Sequence, residues 1–118
     1  MANPLSETVR IGTVGELLSQ VRLLELGVQA APPIKDSGND LVAILGRQVR
    51  FVQIKTKLRG RTYSRDLPDI YDLLFCVDLK FNERENGFLF DASTITVYNN
   101  QGEKLGLLTL ELVNQIWS

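Results

Sequence analysis

The alternation of hydrophobic and polar positions between residues 40 and 57 predicts a β-hairpin. Leu41 to Leu45 is a short apolar run rich in β-branched residues, and Gly46-Arg47 follows it as a turn. Apolar and polar residues then alternate along a second arm, from Val49 to Lys57. Because side chains alternate along a strand, the second arm has an apolar face with Val52 and Ile54.

The other face of this arm carries Gln53, Lys55 and Lys57. Asp40 opens the first arm, where a tight turn brings it beside Gln53 and Lys55. A carboxylate, an amide oxygen and an ammonium group then converge on one spot. This convergence predicts a functional site.

An amphipathic helix is predicted over Thr13 to Leu26, with Gly27 as its stop. Thr13 and Glu16 have the spacing of a capping box, in which Glu16 only caps the helix, although a start near Ser6 is also open. The apolar positions that suggest this helix recur at helical spacing. They are Val14, Leu17, Leu18, Val21 and Leu24.

The rest of the chain alternates between loops, strands and a closing helix. Leu58 to Pro68 is basic and is predicted as a mobile loop, and Leu73 to Leu79 as a central strand. Thr94 to Tyr98 is another strand, and Thr109 to Trp117 a helix capped by Thr109. The order predicts an α/β fold with a mixed sheet of about four or five strands flanked by helices.

Composition places this fold in one soluble domain, residues 1–118. Apolar residues make up 44% and charged residues 23%. No apolar run approaches the roughly 20 residues that span a bilayer, and no secretory signal is recognised at the start. Cys76 is alone and is predicted to be a small buried hydrophobe. We therefore expect a cytoplasmic protein without membrane contact.

Charge is distributed unevenly, although the formal net charge is only −1. The window from Leu41 to Arg65 holds seven basic residues and no acid, which suits contact with a polyanion. A solvated strand and loop is the alternative. The predicted nucleic-acid contacts are Lys57, Arg59, Arg61, Tyr63 and Arg65.

Cleavage of a phosphodiester requires a divalent cation, an attacking water and a group that stabilises the developing charge. The chain has no His and one Cys, so a metal here would be a hard ion held by oxygen. Asp40, the Gln53 amide and the Ile54 carbonyl are the candidate ligands. Lys55 would orient or help deprotonate the water, and Glu16 would hold a metal-bound water.

These residues resemble the PD-(D/E)xK nuclease superfamily. The matching segments are Gly15-Glu16 on a helix, Asp40-Leu41-Val42 opening a strand, and Val52 to Thr56 on the next arm. Small members with Gln-x-Lys, including the homing-endonuclease-like group, are most similar, and archaeal Holliday junction resolvases are similar more loosely. The resemblance implies a restriction-endonuclease-like core.

By motif position, the resemblance makes Asp40 and Gln53 metal ligands, Lys55 catalytic, and Glu16 an acid that assists metal binding. Gln53 stands where the superfamily more often has Glu. The site therefore has one negative charge fewer and should hold Mg²⁺ less tightly.

The predicted function is that of a DNA endonuclease dependent on Mg²⁺ or Mn²⁺, of repair, junction-resolving, homing or restriction type. A homodimer is expected, because one small domain offers one site and duplex cleavage needs two. The alternatives are a catalytically inactive nuclease fold that binds DNA or protein, and a small homodimeric toxin–antitoxin or immunity protein with an interface at Leu105 to Trp117.

Overall fold

A computed structural model describes residues 5–33, 40–63 and 70–118. These ranges contain an α/β fold with a mixed sheet, which confirms the predicted class. In chain order the elements are α1 (Glu7–Glu25), β1 (Gln29–Ala31), β2 (Leu41–Leu45), β3 (Gln48–Leu58), β4 (Arg61–Tyr63), β5 (Leu73–Leu79), β6 (Phe81–Asn82), β7 (Gly87–Phe88), a 3₁₀ turn (Phe90–Ala92), β8 (Thr94–Asn99), β9 (Lys104–Leu107) and α2 (Leu110–Ile116).

The main sheet has seven strands within the described ranges, more than the four or five expected. Its order is β1-β2-β3-β5-β8-β9, and β4 pairs with β3 off this path. β3 and β5 are parallel, whereas the other pairs in the sheet are antiparallel. The unexpected strands, β4 and β9, have only three and four residues, too few to show a hydrophobic period.

The predicted β2–β3 hairpin is confirmed. Leu45 pairs with Gln48 across the Gly46-Arg47 turn, and Gly46 has φ 61°, as the first position of a type II′ turn requires. The expectation of a mobile loop from Leu58 is wrong as far as Tyr63, because β3 and β4 form a second hairpin there. Residues 64–69, with Arg65, lie outside the described residues.

Helix α1 begins earlier than the capping-box interpretation predicts. Ser6 is the N-cap, and its Oγ accepts a hydrogen bond of 3.2 Å from the Val9 amide. The alternative start near Ser6 is therefore confirmed, and Glu16 lies in the middle of the helix rather than capping it. The helix ends before Gly27, whose φ of 85° suits glycine.

The inward face of α1 differs from the predicted stripe. Of the predicted positions only Leu18 is buried, whereas Leu17, Val21 and Leu24 are exposed. Apolar residues occupy more than one side of this helix, and the side with small residues is the one that fits closely against a sheet. The buried positions of α1 are Ile11, Gly15, Leu18, Ser19 and Leu23.

One face of the sheet carries the core, and both helices pack on it. Val52 and Ile54 of β3 face α1 there, beside Phe75 of β5. Arg50 emerges on the same face and donates to the Ile116 carbonyl at 3.0 Å, which places the end of α2 on that side. Thr109 caps α2 as predicted, its Oγ1 accepting from the Leu112 amide.

The opposite face of the sheet is only partly covered. Lys55 and Cys76, which are neighbours across β3 and β5, lie there in a depression with Leu74 and Tyr98. Cys76 is half-buried rather than buried as predicted, because the helices pack on the other side.

Candidate active site

The site lies at a gap in the strand pairing along one edge of β3. β2 pairs with this edge as far as Val52, and β4 pairs with it from Thr56 onwards. Between them, the Asp40 carboxylate takes the place of a strand partner. Its Oδ2 accepts a hydrogen bond of 2.8 Å from the Ile54 amide, and the Asp40 amide donates to the Val52 carbonyl at 3.1 Å.

This geometry confirms that Asp40 faces the second arm of the hairpin. In a strand, the amide and the carbonyl of one residue point toward the same neighbouring strand. The Ile54 amide points toward Asp40, so the Ile54 carbonyl is directed to the same open edge. A carboxylate and a backbone carbonyl are therefore available side by side.

Gln53 adds a third oxygen. Gln53 is 2% exposed and is among the residues that line the same cavity as Asp40 and Ile54. The Oε1 atom has no hydrogen-bond partner among the described residues. A buried amide oxygen without a partner costs about 1–3 kcal/mol, so a ligand that reached this oxygen would recover part of that cost.

Helix α1 brings Glu16 to this cavity through a very close contact with β3. A Cβ built on Gly15 would come to 1.9 Å from the Thr56 Oγ1, so only glycine lets the helix approach the strand this closely. Glu16, the next residue, is half-buried and lines the cavity. The position of the helix acid is thus fixed by its glycine neighbour.

The cavity has a volume of about 170 Å³. That is below the roughly 300–1,000 Å³ typical of pockets for drug-sized ligands, and it suits an ion with its waters or one phosphate group. Asp40, Glu16, Gln53 and Ile54 line it together. The other lining residues are Thr8, Val9, Gly12, Thr13 and Tyr63.

Lys55 is placed differently from these residues. Its side chain lines the depression on the far face of the sheet, with Lys57 and Cys76, and not the cavity that contains Asp40. The expected meeting of the ammonium with the carboxylate is therefore not found among the described contacts, because Lys55 lies beside Cys76 of β5 over an open face, whereas Gln53, on the same side of β3, is enclosed. Burial raises the pKa of the Cys76 thiol, and the nearby positive charges of Lys55 and Lys57 partly offset this.

The predicted nucleic-acid contacts surround the β3–β4 hairpin. Arg59 and Gly60 form its turn, with φ of 53° and 78°, as a type I′ turn requires. Arg61 lies over the Tyr63 ring at 5.1 Å, and Tyr63 lines the cavity. Lys57 is exposed beside them.

Among the predicted nucleic-acid contacts that the structure describes, Arg59 interacts with residues outside the β3–β4 hairpin. Its guanidinium forms an ion pair with Glu83 and lies 5.2 Å from the centre of the Phe81 ring. Both groups are exposed, so the pair holds Arg59 only weakly.

Sequence reasoning missed the part of α1 that walls the cavity. Thr8, Gly12 and Thr13 line it beside Glu16, and the Tyr63 carbonyl lies 4.0 Å from where a Gly12 Cβ would stand. The signal was present as two glycines three residues apart within a helix, which is unusual unless another element approaches there.

Among the described residues there is no cluster of three or more carboxylate, Cys or His side chains suited to a metal. A metal in this cavity would depend on the Gln53 amide and the Ile54 carbonyl in addition to the acids. No helix in the described ranges is long and apolar enough to cross a membrane.

The fold belongs to a class that is seen in nucleases. The chain is similar to a solved bacterial homing endonuclease, I-Ssp6803I, with a TM-score of 0.57 and 16% identity. The similarity covers 81% of this chain and 67% of that one, and at this identity it shows the fold alone. No protein-family model matches the chain, and no curated protein matches it in sequence.

Proposed function

We propose that this protein is a DNA endonuclease that depends on Mg²⁺ or Mn²⁺. The observation that carries the proposal is that Gln53, whose buried Oε1 lacks a described partner, lines one small cavity together with Asp40 and Ile54. The nuclease-like fold supports it.

The donor atoms fit such a metal. Asp40, the Gln53 amide and the Ile54 carbonyl offer only oxygen, the element that Mg²⁺ prefers. A carboxylate has about four lone-pair positions, so Asp40 can keep its bond to the Ile54 amide while it binds an ion. With Gln at position 53 the site has fewer negative charges, and binding should be moderate.

When bound, the metal would neutralise the phosphate and lower the pKa of the attacking water. Asp40, Gln53 and Ile54 would hold it, and Glu16 would orient the water from the helix side. Lys55 is the group proposed to stabilise charge on the phosphate. It can do so only if its side chain reaches past the open edge of β3 when DNA binds.

DNA is proposed to lie along the β3–β4 hairpin. Lys57, Arg59, Arg61 and Arg65 would contact phosphates, and Tyr63 would contact the sugar or base nearest the cavity. Each copy contributes one cavity and a duplex has two strands to cut, so we propose a homodimer. Its proposed setting is the cytoplasm, with repair, junction resolution, homing or restriction as the context.

Cleavage of branched, single-stranded and duplex DNA with Mg²⁺ or Mn²⁺ tests this proposal. We expect Asp40→Asn to reduce cleavage by at least about 100-fold, because it removes the negative charge of the proposed ligand at the strand edge. Asp78→Asn is the matched control, since the contact that Asp78 makes among the described residues is a surface ion pair with Lys80. Equal activity in Asp40→Asn and wild type would rule this site out.

The second candidate function is an inactive nuclease fold that binds DNA or protein. The observation that favours it is the position of Lys55 on the face away from the cavity. Calorimetry with Mn²⁺ separates the two functions, because an inactive module should bind DNA in a salt-dependent way but show no Mn²⁺ binding that Asp40→Asn abolishes.

A further inference from the structure

Helix α1 exposes a second apolar side that faces neither the core nor the cavity. We define the α1 stripe as Val14, Leu17, Val21 and Leu24. Leu17 is 56% exposed, and Val21 and Leu24 are also more than half exposed, whereas Val14 is partly buried against the core. Three neighbouring large apolar side chains in water are costly in a helix that already buries another side.

The α1 stripe borders a groove with a definite shape. Val14, Leu17 and Val21 form one wall, and Phe90 and Asp91 form the other, enclosing about 310 Å³. The Arg22 guanidinium donates to the Phe90 carbonyl at 2.7 Å and so holds the far wall against the helix. The groove is open to solvent and runs beside the helix.

We propose that the occupant of this surface is the α1 stripe of a second copy of the chain, packed antiparallel about a two-fold axis. The spacing of the stripe is three, four and three residues, the interval of a helix–helix seam. This spacing reads the same in both directions. A two-fold axis can cross the stripe midway along it, at the level of residue 19. It then sets Val14 against the second copy's Leu24, and Leu17 against its Val21.

The charges around the groove favour a copy of this chain over a nucleic acid. Arg22 is accompanied by Glu25, 3.9 Å away, and by Asp91 on the other wall. At the rim of the groove two acids, Glu25 and Asp91, outnumber the one cation, Arg22, so the rim repels a polyanion. A rim that carries both signs is complementary to itself when a two-fold axis brings two copies together.

The α1 stripe and the cavity lie on different sides of α1. Thr8, Gly12 and Glu16, which line the cavity, follow one another at four-residue intervals on the side of the helix away from the stripe, whereas Val9 and Thr13, which also line it, form the row that leads to Leu17. Dimerisation through the stripe therefore leaves the Thr8, Gly12 and Glu16 side of the cavity uncovered. The proposal needs neither metal nor DNA, and it stands or falls independently of the nuclease activity.

Sedimentation over a wide range of protein concentration, without metal or DNA, tests the proposal. We expect the wild type to dimerise and Leu17→Glu to raise the dimer Kd by at least about 100-fold, because a two-fold interface contains each residue twice. Leu107→Glu on β9 is the matched control, since Leu107 is 55% exposed and lies outside the stripe. Circular dichroism confirms that both variants fold.

A cross-linking experiment tests the antiparallel arrangement, in a Cys76→Ser background. Oxidation of a mixture of Leu17→Cys and Val21→Cys proteins should give the mixed disulfide in preference to either self-linked product. A monomeric wild type overturns the proposal, and so does a dimer that Leu107→Glu dissociates but Leu17→Glu does not. A monomer that loses DNA or vesicle binding on Leu17→Glu assigns the stripe to that partner and also overturns it.

Discussion

Gly15 of α1 lies directly against Thr56 of β3, closer than any residue with a Cβ could approach. An added Cβ would stand 1.9 Å from the Thr56 Oγ1 and 2.9 Å from its Cβ. This contact sets the distance between α1 and β3. Because Glu16 is the next residue in the chain, the contact also fixes the position of Glu16. The geometry of the candidate site is therefore tied to the packing of the core.

Two alanine substitutions on α1 should have opposite effects on stability. Gly15→Ala should lower the free energy of unfolding by about 1–3 kcal/mol through overpacking against Thr56. Gly12→Ala should raise it by up to about 1 kcal/mol, because its Cβ meets nothing nearer than 4.0 Å and alanine favours the helix.

Urea unfolding of both variants measures the difference, and Thr56→Ala should restore part of the loss in Gly15→Ala. A Gly15→Ala protein as stable as the wild type would show that α1 does not approach β3 this closely.

Substitutions at Asp40 should separate its structural role from its proposed metal-binding role. Asp40→Ala leaves the Ile54 amide without its acceptor, and we expect a loss of about 1–3 kcal/mol in metal-free unfolding. Asp40→Asn keeps an oxygen acceptor and should cost less than about 1 kcal/mol. Both should lose Mn²⁺ binding in calorimetry, and an Asn variant that binds Mn²⁺ like the wild type would contradict the ligand assignment.

Substitutions of Gln53 should change metal-free stability and Mn²⁺ binding in opposite directions. Gln53→Met removes the buried oxygen that lacks a described partner, so metal-free stability should rise by about 1–2 kcal/mol while Mn²⁺ binding falls. Gln53→Glu should tighten Mn²⁺ binding but lower metal-free stability, because it buries a second charge near Asp40.

Gln29→Met on the exposed edge of β1 is the control for Gln53→Met, and it should change stability by less than about 0.5 kcal/mol. A loss of stability in Gln53→Met would mean that the Gln53 oxygen has a partner in solution.

Salt dependence of DNA binding should identify the phosphate contacts. Replacing Lys57 or Arg61 by Gln should weaken binding to all sequences alike and reduce the slope of log K against log salt by about 0.9 per lost contact. Arg84→Gln is the control, because Arg84 is exposed in the turn between β6 and β7. Equal slopes in all variants would show that the DNA does not contact Lys57 or Arg61 of the β3–β4 hairpin.

The parts of the fold with an unambiguous period were predictable from the sequence. The hairpin and the approach of Asp40 to its second arm follow from alternation and a glycine turn, which are local signals. The inward face of α1 was not predictable in this way, since Leu17 and Val21 repeat at helical spacing as well as Ile11 and Leu18 do. The close fit of Gly15 against Thr56 favours the observed side, and that contact joins residues far apart in the chain.

The position of Lys55 shows a second limit of sequence reasoning. Alternation correctly places Lys55 on the same side of β3 as Gln53, yet Gln53 is enclosed while Lys55 lies over an open face. Whether a side chain reaches a cavity depends on which neighbouring strands stop short. The gap between β2 and β4 is a property of the assembled sheet.

The reactivity of Cys76 reports directly where the Lys55 ammonium lies. Burial raises the pKa of this thiol, and Lys55 is the first of the two lysines that lower it. Lys55→Gln removes a positive charge that stabilises the thiolate, so the pKa should rise further and the thiolate fraction at a given pH should fall. Alkylation by iodoacetamide should then be slower, with its pH–rate profile displaced to higher pH, whereas Lys104→Gln should leave the profile unchanged. An unchanged profile in Lys55→Gln would place the ammonium away from Cys76, where it is free to act in the cavity with Asp40.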